Sequence, residues 1–391
     1  MSAKAQRLWP ALMAATLVNL PMGSLYAFSV FLKPLERSLG VGRSELAIVF
    51  ATATISFAAG MNIAPRLYRL APAPVLIAGY CALSAAGLGL ASLADGLVLL
   101  TVGYGVLFGL GGGAAFIALQ QALNMMVKAH KGLVNGYVLS LYPGGAVIAA
   151  PIFGWAVKSW DVRLILGGLG VVVAVVGVLA TLLTIHARAR LVEEETAAAA
   201  KPAGPPLSVF WRLWFVFFLA AAAGLTVLSQ AAGIFTAYGA SPETALAATT
   251  AIPAAIAAAR LSGGWLVDRF AIPRVMAAAH LIALMGAIVL SLFPDPLVST
   301  VTLAMIGIGY GLISGSTAGA IAMYWPSSEY GRIAGLLYIG WCVAAVTLPV
   351  LAGYLYDLSG GYRVAVMVAG GGNIIGATLA LFMPRRASAR A

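Results

Sequence analysis

The chain has 391 residues, of which 62% are hydrophobic and only 9% charged, and its formal net charge is +11. That composition excludes a water-soluble globular protein and predicts an all-α polytopic membrane protein with little mass outside the bilayer. Its two cysteines, Cys81 and Cys342, lie in apolar runs and support neither a disulfide framework nor a metal site.

In chain order, hydropathy predicts twelve transmembrane helices at roughly 8–32, 44–64, 73–93, 97–127, 134–157, 162–186, 209–237, 244–267, 273–293, 297–324, 331–355 and 362–383. Each reaches the ~20 residues that cross the hydrocarbon core. The first, preceded by Lys4 and Arg7, is too long for a signal-peptide core and lacks a small-residue cleavage site before Lys33. It carries Asn19, Ser24, Tyr26 and Ser29. The fourth carries a glycine-rich stretch (Gly109, Gly111, Gly112 and Gly113), then Phe116, Gln120, Gln121 and Asn124; the fifth carries Tyr142, Pro143 and Pro151. Residues Ala187–Ser208, with Glu193–Glu195 and a Lys-Pro-Ala-Gly-Pro-Pro stretch, read as a solvated linker. It separates a first six-helix bundle, 1–186, from a second, 209–391.

In the second bundle, the seventh span carries Ser229 and Gln230, and the eighth carries Arg260. His280 stands in the ninth, where a structural role is expected. Tyr310, Ser314, Ser316 and Thr317 follow in the tenth, and Tyr338 and Trp341 in the eleventh. Sixteen of the 23 lysines and arginines fall on one set of loops and termini, six on the other and one inside a span. The positive-inside rule therefore accounts for the net charge without nucleic acid and places both termini in the cytoplasm. Richness in Ala, Gly and Arg suggests a bacterial protein, hence the inner membrane.

The two halves repeat. Gly60 matches Gly264; Gly103-Tyr104-Gly105 and Gly109 recur as Gly309-Tyr310-Gly311 and Gly315; Gly132-x-x-x-Gly136, then Pro151, matches Gly331-x-x-x-Gly335, then Pro349; and Arg163 matches Arg363. Four matches in order at a nearly constant offset mark a parallel repeat. Parallel six-helix repeats characterise transporters that alternate access around a central site.

Arg260 is the one charge placed well inside a span, the run Ala245–Val267. An arginine near a helix centre costs roughly 2.5–3.5 kcal/mol on insertion scales, so it faces a cavity or a partner. All 12 acidic residues fall in loops or at helix ends, so a substrate anion is the expected counterion. The bland alternatives are snorkelling, or accommodation by Gly263, Gly264 and Asp268. Tyr26, Tyr142, Tyr310, Tyr338 and Trp341 combine an apolar ring with a polar tip suited to lining such a site, with Phe116 and Asn19 as weaker candidates. Tyr142 and Trp341 hold equivalent places in the repeat. No Ser/His/Asp set, carboxylate pair, phosphate loop or metal-ligand spacing is present, so neither an enzyme activity nor a cofactor is expected.

Gly264-Trp265-Leu266-Val267-Asp268-Arg269 resembles the G-x-x-x-D-R loop of the major facilitator superfamily. The first-half counterpart, Gly60 to Arg66, has Ala64 in place of the Asp. Tyr26 to Phe31 with Lys33-Pro34-Leu35, the Arg260…Asp268-Arg269 helix and Glu329-Tyr330-Gly331 resemble the oxalate/formate antiporter and monocarboxylate transporter families. The resemblance implies the major facilitator fold, a monomer, and a gating role for Gly264, Asp268 and Arg269. It also implies a secondary transporter of a small organic monocarboxylate, lactate- or pyruvate-like, working by proton symport or anion exchange. Two features depart from the relatives. Ile256 stands where proton-coupled relatives carry an Asp, and the eleventh span has no second cation beyond Arg332 at its mouth. One cation suits one carboxylate. The alternative within the superfamily is efflux of a drug or metabolite.

Overall fold

The computed structural model describes residues 3–193 and 205–385, apart from the side chains of 3–6, 228 and 242–250. These residues form twelve long helices, with no strand among them. They are α1 (Arg7–Leu39), α2 (Arg43–Leu67), α3 (Ala73–Ser92), α4 (Leu97–Met126), α5 (Lys131–Ala156) and α6 (Val162–Ala187). Then follow α7 (Leu207–Ala237), α8 (Pro242–Arg269), α9 (Ile272–Leu292), α10 (Pro296–Tyr324), α11 (Tyr330–Ser359) and α12 (Arg363–Leu381). All but α8 are long and apolar enough to cross a membrane on their described residues alone, and α8 is 28 residues long. Helices satisfy every backbone N–H and C=O within one segment, which lipid demands. On α6, exposed Leu164, Val171, Val175, Val178, Leu182 and Ile185 recur at helical spacing, a stripe for lipid rather than water.

Local sequence shapes these helices. Pro21 removes an amide donor from α1, which tightens into a 3-10 stretch at Gly23–Phe31 and resumes as α-helix over Leu32–Leu39. The helix thus runs past the expected end at Leu32 and stops at Gly40, whose φ of 65° suits a left-handed cap. In α4, Thr101–Phe108 is wound as a π-helix.

The chain packs as two compact units. Unit 1 comprises Met1–Lys128, Leu141–Lys201 and Ser327–Tyr338; unit 2 comprises Ala129–Ser140, Pro202–Pro326 and Ile339–Ala391. In unit 1, α3 packs on α4 and α6, α2 on α4, and α1 on α6. In unit 2, α10 packs on α7, α8 and α9, and α12 on α7 and α9. His280 is fully buried, its Nδ1 2.8 Å from Asn373 Oδ1 on α12.

The glycine repeat has a packing reason. A Cβ at Gly103 would lie 2.6 Å from Gly87 O on α3, and one at Gly309 would lie 2.7 Å from Ala279 O on α9. Next in each motif, Gly109 abuts Ala53 on α2 and Gly315 abuts Arg260 on α8. The motif lets one helix of each half approach two neighbours backbone to backbone.

One expectation needs correction. The segment opening at Ala187 is not solvated at its start: Ala187, Ala189 and Leu191 are buried in unit 1, after Arg188 turns the chain at φ 51°. The rest of that stretch, 194–204, and the basic residues Lys201, Arg386 and Arg390 lie outside the described residues, as does the Lys4 side chain.

Candidate functional site

Arg260 is buried, 5% exposed. Its Nη1 donates to Leu139 O at 3.0 Å and its Nη2 to the Tyr310 hydroxyl at 2.9 Å. The Leu139 carbonyl is available for a specific reason. Its helical partner would be the amide of residue 143, and that residue is proline. The break in the α5 ladder creates an acceptor, and the guanidinium fork fills it.

The Tyr310 oxygen accepts a second bond, from Trp341 Nε1 at 2.9 Å. A phenol has two acceptor sites and one proton. With both sites occupied, the O–H is left to donate, and two donors on its oxygen polarise it further. On the same face of α10, at i+4 and i+7 from Tyr310, Ser314 and Thr317 are buried with hydroxyls that lack partners among the described residues. Arg260, Tyr310 and Trp341 are therefore brought together with a row of unused donors, an arrangement chemically suited to a carboxylate.

The remaining candidates lie in unit 1. Tyr142 packs edge-on against Tyr26 (6.1 Å between ring centroids), Phe57 (5.2 Å) and Phe116 (5.3 Å), and Phe116 lies 6.1 Å from Tyr338. Asn19 is fully buried, and neither polar atom of its side chain has a partner among the described residues. Tyr142 and Trp341, equivalent in the repeat, thus have different surroundings. So do Tyr104 and Tyr310: Tyr104 is buried against Phe28 and Phe108 with an unpartnered hydroxyl.

Asp268 does not pair with Arg260. Its two oxygens accept the backbone amides of Gly132 and Leu133, each at 2.8 Å. It caps the first turn of α5, where a carboxylate meets the positive end of a helix dipole. Gly264 permits this, because a Cβ there would run into Gly132 O. Arg269 instead stacks on Trp265, 4.0 Å from the ring centroid.

In unit 1, where Ala64 replaces the Asp, an amide does the equivalent work. Gln121 Oε1 accepts from Gly331 N, in the first turn of α11, at 2.8 Å. Its Nε2 donates to Leu191 O and Ser327 O, both at 3.0 Å. Asn62 Nδ2 adds a bond to Gly335 O at 2.9 Å. Gln121 holds the α11 start and the segment after α6 together. Gln121→Leu should remove the partner that Gly331 N and the Leu191 carbonyl find in Gln121. We expect a loss of about 2–3 kcal/mol, read as a lower melting temperature and faster trypsin cleavage after Arg188 or Arg190. An unchanged cleavage rate would contradict this role.

Sequence reasoning missed the Leu139 carbonyl and Phe57. The first had a signal, Pro143 four residues on; the second, an aromatic in an apolar span, had none.

Comparison with known proteins agrees with this architecture. The Major Facilitator Superfamily model matches residues 12–320 and 213–391. Monocarboxylate transporter 13 of Rattus norvegicus is 26% identical over 378 residues, spanning 89% of this chain and 84% of the relative. The uncharacterised MFS-type transporter YhjX of Escherichia coli (strain K12) is 22% identical over 349 residues, spanning 86% of each chain. Among solved structures, the proton:xylose symporter XylE bound to 6-bromo-6-deoxy-D-glucose superposes with a TM-score of 0.76 over 97% of both chains at 13% identity.

Proposed function

The chain belongs to the major facilitator superfamily, and from that premise we propose that it carries a small organic monocarboxylate across the membrane by alternating access. The observation that supports this reading most is the donor set around one buried cation: the Arg260 fork, the Tyr310 hydroxyl polarised by Trp341, and the hydroxyls of Ser314 and Thr317, without partners among the described residues. A bidentate arginine matches the planar geometry of a carboxylate, and charge-assisted bonds are roughly twice as strong as neutral ones. Similarity to a monocarboxylate transporter points the same way. The aromatic group around Tyr142, with Phe116, Tyr26, Tyr338 and Asn19, would select substrate size and exclude water. Gly264, Asp268 and Arg269 would act in gating, through the cap on α5. Coupling is by proton symport or anion exchange, and the protein works as a monomer in a bacterial inner membrane with both termini cytoplasmic.

Ligands that bind only the folded state raise the melting temperature. Among lactate, pyruvate, glycolate, formate, oxalate and neutral or cationic drugs, a monocarboxylate should stabilise the purified protein, with an affinity of ~10–100 μM, or about 5.5–7 kcal/mol. Tyr310→Phe should weaken that affinity by about tenfold through one lost charge-assisted bond. Stabilisation by drugs, with no response to any monocarboxylate, would move the efflux reading to the front.

A further inference from the structure

Unit 1 carries a concavity of its own. A groove of about 1310 Å³ runs along α1, α5 and α6, walled by Leu20, Pro21, Ile148, Ile152, Leu164 and Gly168. Its walls are apolar, and several project outward: Ile148 is 52% exposed and Leu164 65%. In a membrane protein such a face meets acyl chains. Three polar groups distinguish this groove from a plain lipid-facing surface. Ser24, 1% exposed, lines it with a hydroxyl that has no partner among the described residues. At its mouth, the Nε of Arg163 is likewise buried without a partner. Asp161, also at the mouth, accepts the Arg163 backbone amide at 2.7 Å rather than its guanidinium. Trp160, packed edge-on against Trp155, stands beside them as interfacial aromatics do.

We propose that this groove binds a glycerophospholipid with an ethanolamine headgroup. The acyl chain lies along the apolar wall, the phosphate meets Arg163, and the ammonium meets Asp161. Ser24 donates to an ester oxygen. Opposite charges two residues apart on a helix do not face each other, so the two ends of a zwitterion can engage both. A choline headgroup presents no N–H to Asp161, and a glycerol headgroup brings no cation. The site rests on the membrane location alone and is independent of the substrate assignment.

The test is native mass spectrometry of the detergent-solubilised full chain with equal amounts of ethanolamine, choline and glycerol phospholipids of one acyl composition. Wild type should retain the ethanolamine lipid about tenfold over the others, the ratio that one charge-assisted bond supplies. Arg163→Ala should lower retention of all three, since each carries the phosphate that Arg163 meets. Asp161→Asn, which keeps an N-capping side chain on α6, should let the three lipids bind equally. Gly168 has open space at its Cβ position, so Gly168→Leu should fill the groove and lower retention of all three without unfolding the protein. Equal retention of the three lipids by wild type would overturn the proposal, as would an ethanolamine preference that survives Asp161→Asn or unchanged retention in Arg163→Ala.

Discussion

Replacing Arg260 with alanine is expected to lower monocarboxylate uptake at least about 100-fold, the larger part of the binding energy that a bidentate, charge-assisted pair can supply. Stability should fall too, by about 2–3 kcal/mol, for a reason unrelated to substrate. The Leu139 carbonyl has no helical donor because of Pro143, and Arg260 is the group that satisfies it. Arg260→Lys separates the two effects. Its ammonium is a point charge and cannot hold Leu139 O and the Tyr310 hydroxyl in one plane as the fork does. Uptake should therefore stay low in Arg260→Lys while the melting temperature recovers part of the loss. Uptake close to wild type in Arg260→Ala would remove the residue from the substrate site.

Gly315→Ala is expected to damage the same site from outside it. A Cβ there would run into the carbonyl oxygen of Arg260 itself, where α10 and α8 pack backbone to backbone. Overpacking of this kind costs about 1–3 kcal/mol. The two helices must part, carrying Tyr310 away from the guanidinium, so uptake should fall even when the folded protein persists. Gly371→Ala provides the comparison, since nothing lies within 4 Å of its Cβ position. There the higher helix propensity of alanine, up to about 1 kcal/mol, should leave the melting temperature unchanged or slightly raised. Equal behaviour of the two variants would mean that the α8–α10 approach is not tight.

The glycine case also shows what a sequence can reveal. Gly103-Tyr104-Gly105 and Gly309-Tyr310-Gly311 were recognisable as a repeat, because spacing survives divergence. That Gly309 and Gly315 admit α9 and α8 was not readable, since it depends on which helices meet. The helices themselves were legible, as each apolar run is long enough to dominate every competing signal. Helix ends were less so: α1 continues to Leu39 because Pro21 changes its winding rather than ending it. Arg260 stood out by its charge in an apolar run. Its partners did not, because one is a backbone carbonyl exposed by a proline on another helix. Tyr104 and Tyr310 are indistinguishable by motif, yet only Tyr310 meets Arg260 and Trp341. The substitute for the missing Asp at Ala64 was hidden for a similar reason. Gln121 lies 57 residues further along the chain, and its partners come from two separate segments.

The central claim, a carboxylate carried through the Arg260 site, is tested most directly by counterflow in proteoliposomes. Vesicles loaded with unlabelled lactate or pyruvate are diluted into trace labelled substrate, with wild type and Arg260→Ala run in parallel. Label should accumulate transiently with wild type, other monocarboxylates should inhibit that accumulation, and Arg260→Ala should show no accumulation. Accumulation that is equal in both proteins, or that occurs for a neutral or cationic solute and for no monocarboxylate, would contradict it.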